Sequence, residues 1–170
     1  MGCMKLKAKS PSESAVTMTE IVLPQHTNAL GTIFGGTVMS WIDIAGAICA
    51  GKHARSTVVT ASIDALHFVA PIKLGHFVEL KASVNATGTT SLEVGVRVDS
   101  EDPKTGERYH SVSAYLTFVA LDSNGKAIPV PPIEPGTPAE KRRNQAASMR
   151  RKSRIELASQ IKKEESASKS

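Results

Sequence analysis

The chain has 170 residues, 41% of them apolar, and a formal charge of +5, which suits one domain with a core of its own. The charge is uneven: residues 1–137 hold 11 Lys and Arg against 12 Asp and Glu, whereas residues 138–170 hold 10 against 4. A basic, nucleic-acid-binding body is therefore unsupported, and two cysteines, Cys3 and Cys49, make neither a disulfide framework nor a zinc spacing, which points to a reducing, cytoplasmic location.

Residues 1–12 are polar and rich in Lys and Ser, a flexible arm without the long apolar run of a secretion signal. Residues 15–23 alternate as a first strand, which Pro24 stops. A polar loop over 25–34 feeds a segment, 36–53, that lacks proline and has Asp43 as its one acidic residue. As a helix it would be roughly 27 Å long. A membrane span needs about 20 predominantly apolar residues. This segment begins at a Gly-Gly pair, carries Asp43 and ends on Lys52, His53 and Arg55, so it predicts a helix buried inside a wrapping sheet.

Residues 58–69 predict a second strand, ended by Ala70-Pro71. In the third, Val78, Leu80, Ala82, Val84 and Ala86 share one face, and in the fourth Leu92, Val94, Val96 and Val98 do so. The fifth, over 109–121, places Val112, Ala114, Leu116, Phe118 and Ala120 together, and Asn124-Gly125 marks a hairpin-type turn. Residues 129–138 are proline-rich, and residues 139–163 predict a partly ordered basic helix without a sustained apolar stripe, a solvated tail. The organisation expected is an arm over 1–12, a domain over 13–132, and a linker with a basic tail over 133–170.

The order strand, long helix, four strands, with the pattern His26-Thr27-Asn28-x-x-Gly31-x-x-Phe34-Gly35-Gly36-x-x-Met39-x-Trp41-x-Asp43-x-Ala45-Gly46-Ala47, then Val58-Val59-Thr60 and Gly88-Thr89-Thr90-Ser91, resembles the acyl-CoA thioester hydrolases of the hotdog fold. The likeness is narrower to their bacterial short-chain and cytosolic brain-type branch. It implies an α+β hotdog fold, a long central helix wrapped by a curved antiparallel five-stranded sheet. It also implies an enzyme that hydrolyses fatty acyl-CoA to free acid and coenzyme A.

Thioester hydrolysis needs an activated water and a place for charge on the carbonyl oxygen. A carboxylate in apolar surroundings is a stronger base than one in water, so Asp43 either activates water or merely bonds loop amides. The first amides of a helix lack internal partners, so Gly36 either receives the carbonyl oxygen or only makes a tight turn. Asn28 read alone is a turn residue. The resemblance implies that Asp43 is the general base or nucleophile and that Gly36 polarises the thioester. It also implies that Asn28 works with Asp43 of a facing subunit, which makes a homo-oligomer, a dimer at least and a trimer of dimers (a hexamer) in full.

Coenzyme A, part of the substrate rather than a cofactor, is expected at Arg55, Ser56, Val58, Thr60, Gly88, Thr89, Thr90 and Ser91, with Lys73 or the tail lending further positive charge. His26 is expected to support the site from behind. His53, His67, His76 and His110 lack partners at metal-ligand spacing and read as surface or strand residues, so no metal, nucleic acid or membrane span is assigned. The alternative reading is a non-catalytic acyl-CoA-binding regulator with the same cavity. A hotdog dehydratase fits less well, for want of an Asp/His pair in that family's spacing.

Overall fold

The computed structural model describes residues 6–167. Cys3 with the start of the arm, and the last three residues of the tail, lie outside the described residues. The elements are β1 (Val16–Ile21), α1 (Gly35–Ala54), β2 (Thr57–Phe68), β3 (Phe77–Thr87), β4 (Ser91–Glu101), β5 (Arg108–Leu121) and α2 (Pro138–Ala167). The five strands form one antiparallel sheet in the order β1-β3-β4-β5-β2, so β3, β4 and β5 make the expected meander and β2 lies on an edge. This is the hotdog architecture. Bulges between Thr60 and Ser62, Ile63 and Ala65, Val84 and Ala86, and Val98 and Asp99 bend the strands around α1.

The alternating faces read from the sequence point at α1 up to the β3 bulge: Val78, Leu80, Ala82, Val84, Leu92, Val94, Val96, Val98, Val112, Ala114, Leu116, Phe118 and Ala120 are buried. Ala86, expected with them, follows the bulge after Val84, pairs with Glu93 and leaves that face. The buried residues meet Val38, Trp41, Ile42, Ala45, Cys49 and Ala50 of the helix. Gly46 sets the approach, since a Cβ there would lie 3.0 Å from Cζ of Phe118. The helix ends on Arg55 in the left-handed region, φ 56°, whose amide donates to the Gly51 carbonyl, a geometry that costs a non-glycine residue about 1 kcal/mol.

α1 is not buried all round, as its composition suggested. Met39, Ile44 and Ile48 are 42–46% exposed, and Ile63 of β2, paired with the core residue Leu116, is exposed on the same side of the sheet. The single chain therefore leaves an apolar face uncovered along its open sheet edge.

Two further expectations are corrected. The backbone of Lys9, assigned to a loose arm, pairs with Pro132 and Glu134, and Pro11 and Ser14 are buried. His53, read as a surface residue, is wholly buried: its Nε2–H donates to the Pro131 carbonyl at 2.9 Å and its Nδ1 accepts from Ser14 Oγ at 3.3 Å. It joins the end of α1 to both flanking segments.

The tail likewise is attached. A capping box starts α2: the Gly136 and Thr137 amides donate to Glu140 Oε2, and the Glu140 amide donates to Thr137 Oγ1, with Pro138 first in the helix. Ala147 is buried, Asn144 donates to the Asn85 carbonyl, and Arg150 makes a fork on Glu93 at 2.6 and 3.1 Å while lying 3.6 Å over the Tyr115 ring. Arg154 pairs with Asp64 on β2. Polar pairs stand in for the apolar stripe whose absence had suggested a free tail. Among the described residues no helix is long and apolar enough to cross a membrane.

Candidate active site

The loop before α1 is built by its own polar groups. Asn28 Oδ1 accepts from the amides of Leu30 and Thr32, and its Nδ2–H donates to Thr32 Oγ1 at 3.0 Å, closing a turn that runs through Gly31 at φ +71°. The Ile33 amide donates to the Ile72 carbonyl and the Phe34 amide to that of His26. His26 stands edge-on to Trp41, centroids 5.1 Å apart, and its Nδ1 accepts from the Leu23 amide. Its ring thus braces the loop against α1.

α1 begins on Phe34 without a side-chain cap, and the amides of Thr37 and Val38 donate to the Phe34 carbonyl. The amides of Gly35 and Gly36 precede the first intrahelical bond and have no acceptor among the described residues. A Cβ at Gly36 would collide with the Phe34 ring, so only glycine lets that ring lie against the helix start. Phe68 lies over Gly35, and a cavity of about 290 Å³ lined by Thr32, Ile33 and residues 68–72 opens beside it. The helix start therefore lies against two aromatic rings, Phe34 and Phe68.

Asp43 is half-buried in the uncovered face of α1, and Thr60 Oγ1 donates to its Oδ1 at 2.6 Å. Oδ2 has no partner among the described residues. Asp43 follows Gly36 by two helical turns, on the same face but about 10 Å further along the axis. A base and an oxyanion donor working on one carbonyl must each be about 3 Å from the reacting atoms. Within one chain they are too far apart.

The residues expected to meet coenzyme A gather at the other end of the sheet. Val59 pairs with Val119 and Val119 with Ser91, which puts the 88–91 turn two strands from the start of β2, about 10 Å away. Arg55 is exposed there, as is Thr89. The Thr89 and Thr90 carbonyls are taken by the amides of Val130 and Ala120, which leaves the hydroxyls for a ligand. The sequence did not reveal that Thr60, expected among these contacts, turns its hydroxyl to Asp43; only the β2 register shows it. Nor did it reveal Arg151, whose guanidinium lies over Gly88 within 3.4 Å of where a Cβ would stand.

A second constellation mimics a hydrolase relay: Asp99 Oδ1 to His110 Nδ1 at 3.1 Å, and His110 Nε2 to Ser113 Oγ at 3.0 Å. Ser113 lies mid-strand, paired with both Arg97 and His67, so the surrounding amides belong to the ladders, and Arg97 already neutralises Asp99. It lacks the oxyanion donors that the helix start supplies. No group of three His, Cys, Asp or Glu among the described residues could hold a metal ion.

Residues 30–107 match the model of the thioesterase superfamily. The chain is 47% identical over 128 residues to a Bacillus subtilis protein described as the uncharacterized acyl-CoA thioester hydrolase YkhA, covering 75% of this chain and 74% of that one. It superposes on a hexameric acyl-CoA thioesterase at TM-score 0.87 with 45% identity, over 90% of this chain and 98% of the other. A Staphylococcus aureus acyl-CoA hydrolase, solved with butyryl coenzyme A, coenzyme A and coenzyme A disulfide, gives TM-score 0.86 and 40% identity over 92% and 95% of the two chains. That hydrolase has also been solved with alanine in place of Asn28, Asp43 and Thr60, and this chain carries the same residue types at the same numbers.

Proposed function

We propose a mechanism for a chain that belongs to the acyl-CoA thioester hydrolases of the thioesterase superfamily: Asp43 of one copy activates the water that attacks a thioester held at the α1 N-terminus of a second copy. The observation that carries it is the Asp43 carboxylate, held on one oxygen by Thr60, open on the other, and set in an apolar face that a single chain leaves bare. Covering that face excludes bulk water from the reacting groups.

Antiparallel pairing of two β2 edges about the strand midpoint would set Thr57 of one copy opposite Phe68 of the other. Phe68 lies on Gly35. The pairing therefore carries the second copy's free amides toward the first copy's Asp43 and coenzyme A cluster. In that arrangement the Gly36 amide donates to the carbonyl oxygen, and Asn28 positions the water. Asp43 takes a proton from the water as its oxygen bonds to the carbonyl carbon. The carbon–sulfur bond then breaks, and Asp43 returns the proton to the departing coenzyme A thiolate, leaving a free acid.

Arg55, Ser56, Val58 and the 88–91 turn, with Arg151 above it, are the groups we assign to coenzyme A, and His26 braces the loop. A dimer is the smallest working unit, and a trimer of dimers follows the hexameric relative. Cytoplasmic residence belongs to the same reading, in keeping with Cys49 as a free buried thiol. Thiol release from a panel of acyl-CoAs tests the mechanism: Asp43→Ala should abolish it, and full activity in that variant would overturn the assignment.

A further inference from the structure

We infer that the distal part of α2 is a strap that crosses the β2 edge and packs on a second copy of the chain. The inference rests on the edge-to-edge dimer proposed above. It starts from the path of the helix over the outer face of the sheet. Asn144 meets β3, Arg150 meets Glu93 of β4 and Tyr115 of β5, and Arg154 meets Asp64 on the edge strand. The contacts thus run across the sheet in the order of its strands, and Arg154 stands over its rim. Yet the helix continues to Ala167, about 20 Å past Arg154.

That overhang is not simply a charged, solvated rod. Ala147, Arg150 and Arg154 face the sheet, and the next positions at helical spacing on that face are Leu157 and Ile161. They are 57% and 46% exposed, and Ile155 beside them is 58% exposed. The face that grips the chain's own sheet by ion pairs becomes aliphatic where that sheet ends. Val59 of β2, 44% exposed, shares that outer face at the same edge, since its partner Val119 alternates with the buried Phe118 and Ala120. A second sheet continuing the first would lie beneath the overhang.

The spacing fits. In a two-fold pairing centred on the middle of β2, Asp64 lies one to two residues from the axis, so the two copies of Asp64 are about 10 Å apart along the strands. Each α2 is tied to its own Asp64 and runs across the strands. The two helices are therefore antiparallel neighbours about 10 Å apart, close to the 8–10 Å at which helices pack. Leu157 and Ile161 then rest on the second copy's sheet, and a flank of each overhang meets the other. The strap would hold together the two halves of the composite active site without touching substrate.

Two measurements on the full chain test this. In a Cys3→Ser background, Ile155→Cys and Leu157→Cys place a thiol near the two-fold axis, and Arg142→Cys places one far from it. A short bis-maleimide should join copies at residue 155 or 157 and not at 142. The Leu157→Glu/Ile161→Glu double variant should weaken the dimer about tenfold or more in sedimentation, while retaining turnover at concentrations where the dimer persists. Cysteine variants that dimerise but cross-link at neither position, together with a double-glutamate variant that associates as tightly as the wild type, would overturn the strap and leave the dimer standing. A wild-type chain that sediments as a monomer while active would overturn the dimer, and the strap with it.

Discussion

The sharpest consequence of the geometry is that two inactive chains should make an active pair. Gly36 and Asp43 stand about 10 Å apart on one helix, too far to serve one carbonyl, and Asn28 is on the loop at the Gly36 end. If each site takes Asn28 and Gly36 from one copy and Asp43 from the other, an Asn28→Ala chain and an Asp43→Ala chain together rebuild one intact site. The other site of that hybrid carries both lesions. Random assembly of equal amounts gives hybrids in half of all dimers, so total activity should recover to about a quarter of wild type, and a hybrid isolated with two different tags should reach about half. Acyl-CoA turnover followed by thiol release, after co-expression or co-refolding, reads this directly. If every site were built within one chain, each hybrid site would carry one lesion, and activity would stay at the level of the separate variants. That result would refute the shared site while leaving Asp43 as the base.

Other predictions use single contacts. Thr60→Val removes the 2.6 Å donor to Asp43, a hydrogen bond to a charged group worth about 1.5–3 kcal/mol, so kcat should fall at least tenfold with KM little changed. Thr60→Ser should retain most of the rate, and equal kcat in all three proteins would remove Thr60 from the mechanism. Arg150→Ala leaves Glu93, 6% exposed, without its cation and should cost about 3 kcal/mol of α2 docking. Trypsin should then cut within residues 138–163 much faster, and an unchanged cleavage rate contradicts the attachment. Burial holds the His53 pKa below the ordinary histidine value, so below about pH 6.5 the unfolded chain takes up a proton that the folded chain refuses. The urea midpoint should fall as pH drops from 7.5 through that range, and less so in His53→Gln; identical pH slopes would count against it. Burial also pushes the Cys49 thiol up to about 11. In a Cys3→Ser variant the remaining thiol should resist a disulfide reagent at pH 8 in the native state and react in denaturant, whereas fast reaction of the native variant would show Cys49 to be accessible.

Most of the fold was legible because one period controls it. Apolar residues alternate along most of β3, β4 and β5, and each such stretch turns its apolar face to α1, the apolar one of the two long helices. What misled was composition taken without its partners. Residues 139–163 lack large apolar side chains on a regular stripe, yet Arg150 and Arg154 find Glu93 and Asp64, residues 57 and 90 positions away in the chain. No local pattern announces such a pair. His53 escaped for the same reason, since its two ring partners, Ser14 and Pro131, come from opposite ends of the domain.

The site was legible as a set of residue types but not as an arrangement. Spacing along α1 gives the distance from Gly36 to Asp43, and that distance argues against a site closed within one chain. The sheet order adds the reason a second copy resolves it: β2 is an edge, it carries Thr60 under Asp43 near one end and Phe68 over Gly35 at the other, and antiparallel pairing exchanges those ends. The bare apolar side chains on α1 and β2 are then the ground on which the exchange occurs. A helix that looked buried on all sides from its sequence is buried on one side by its own sheet, and its other side, with the one carboxylate, is set to meet its copy.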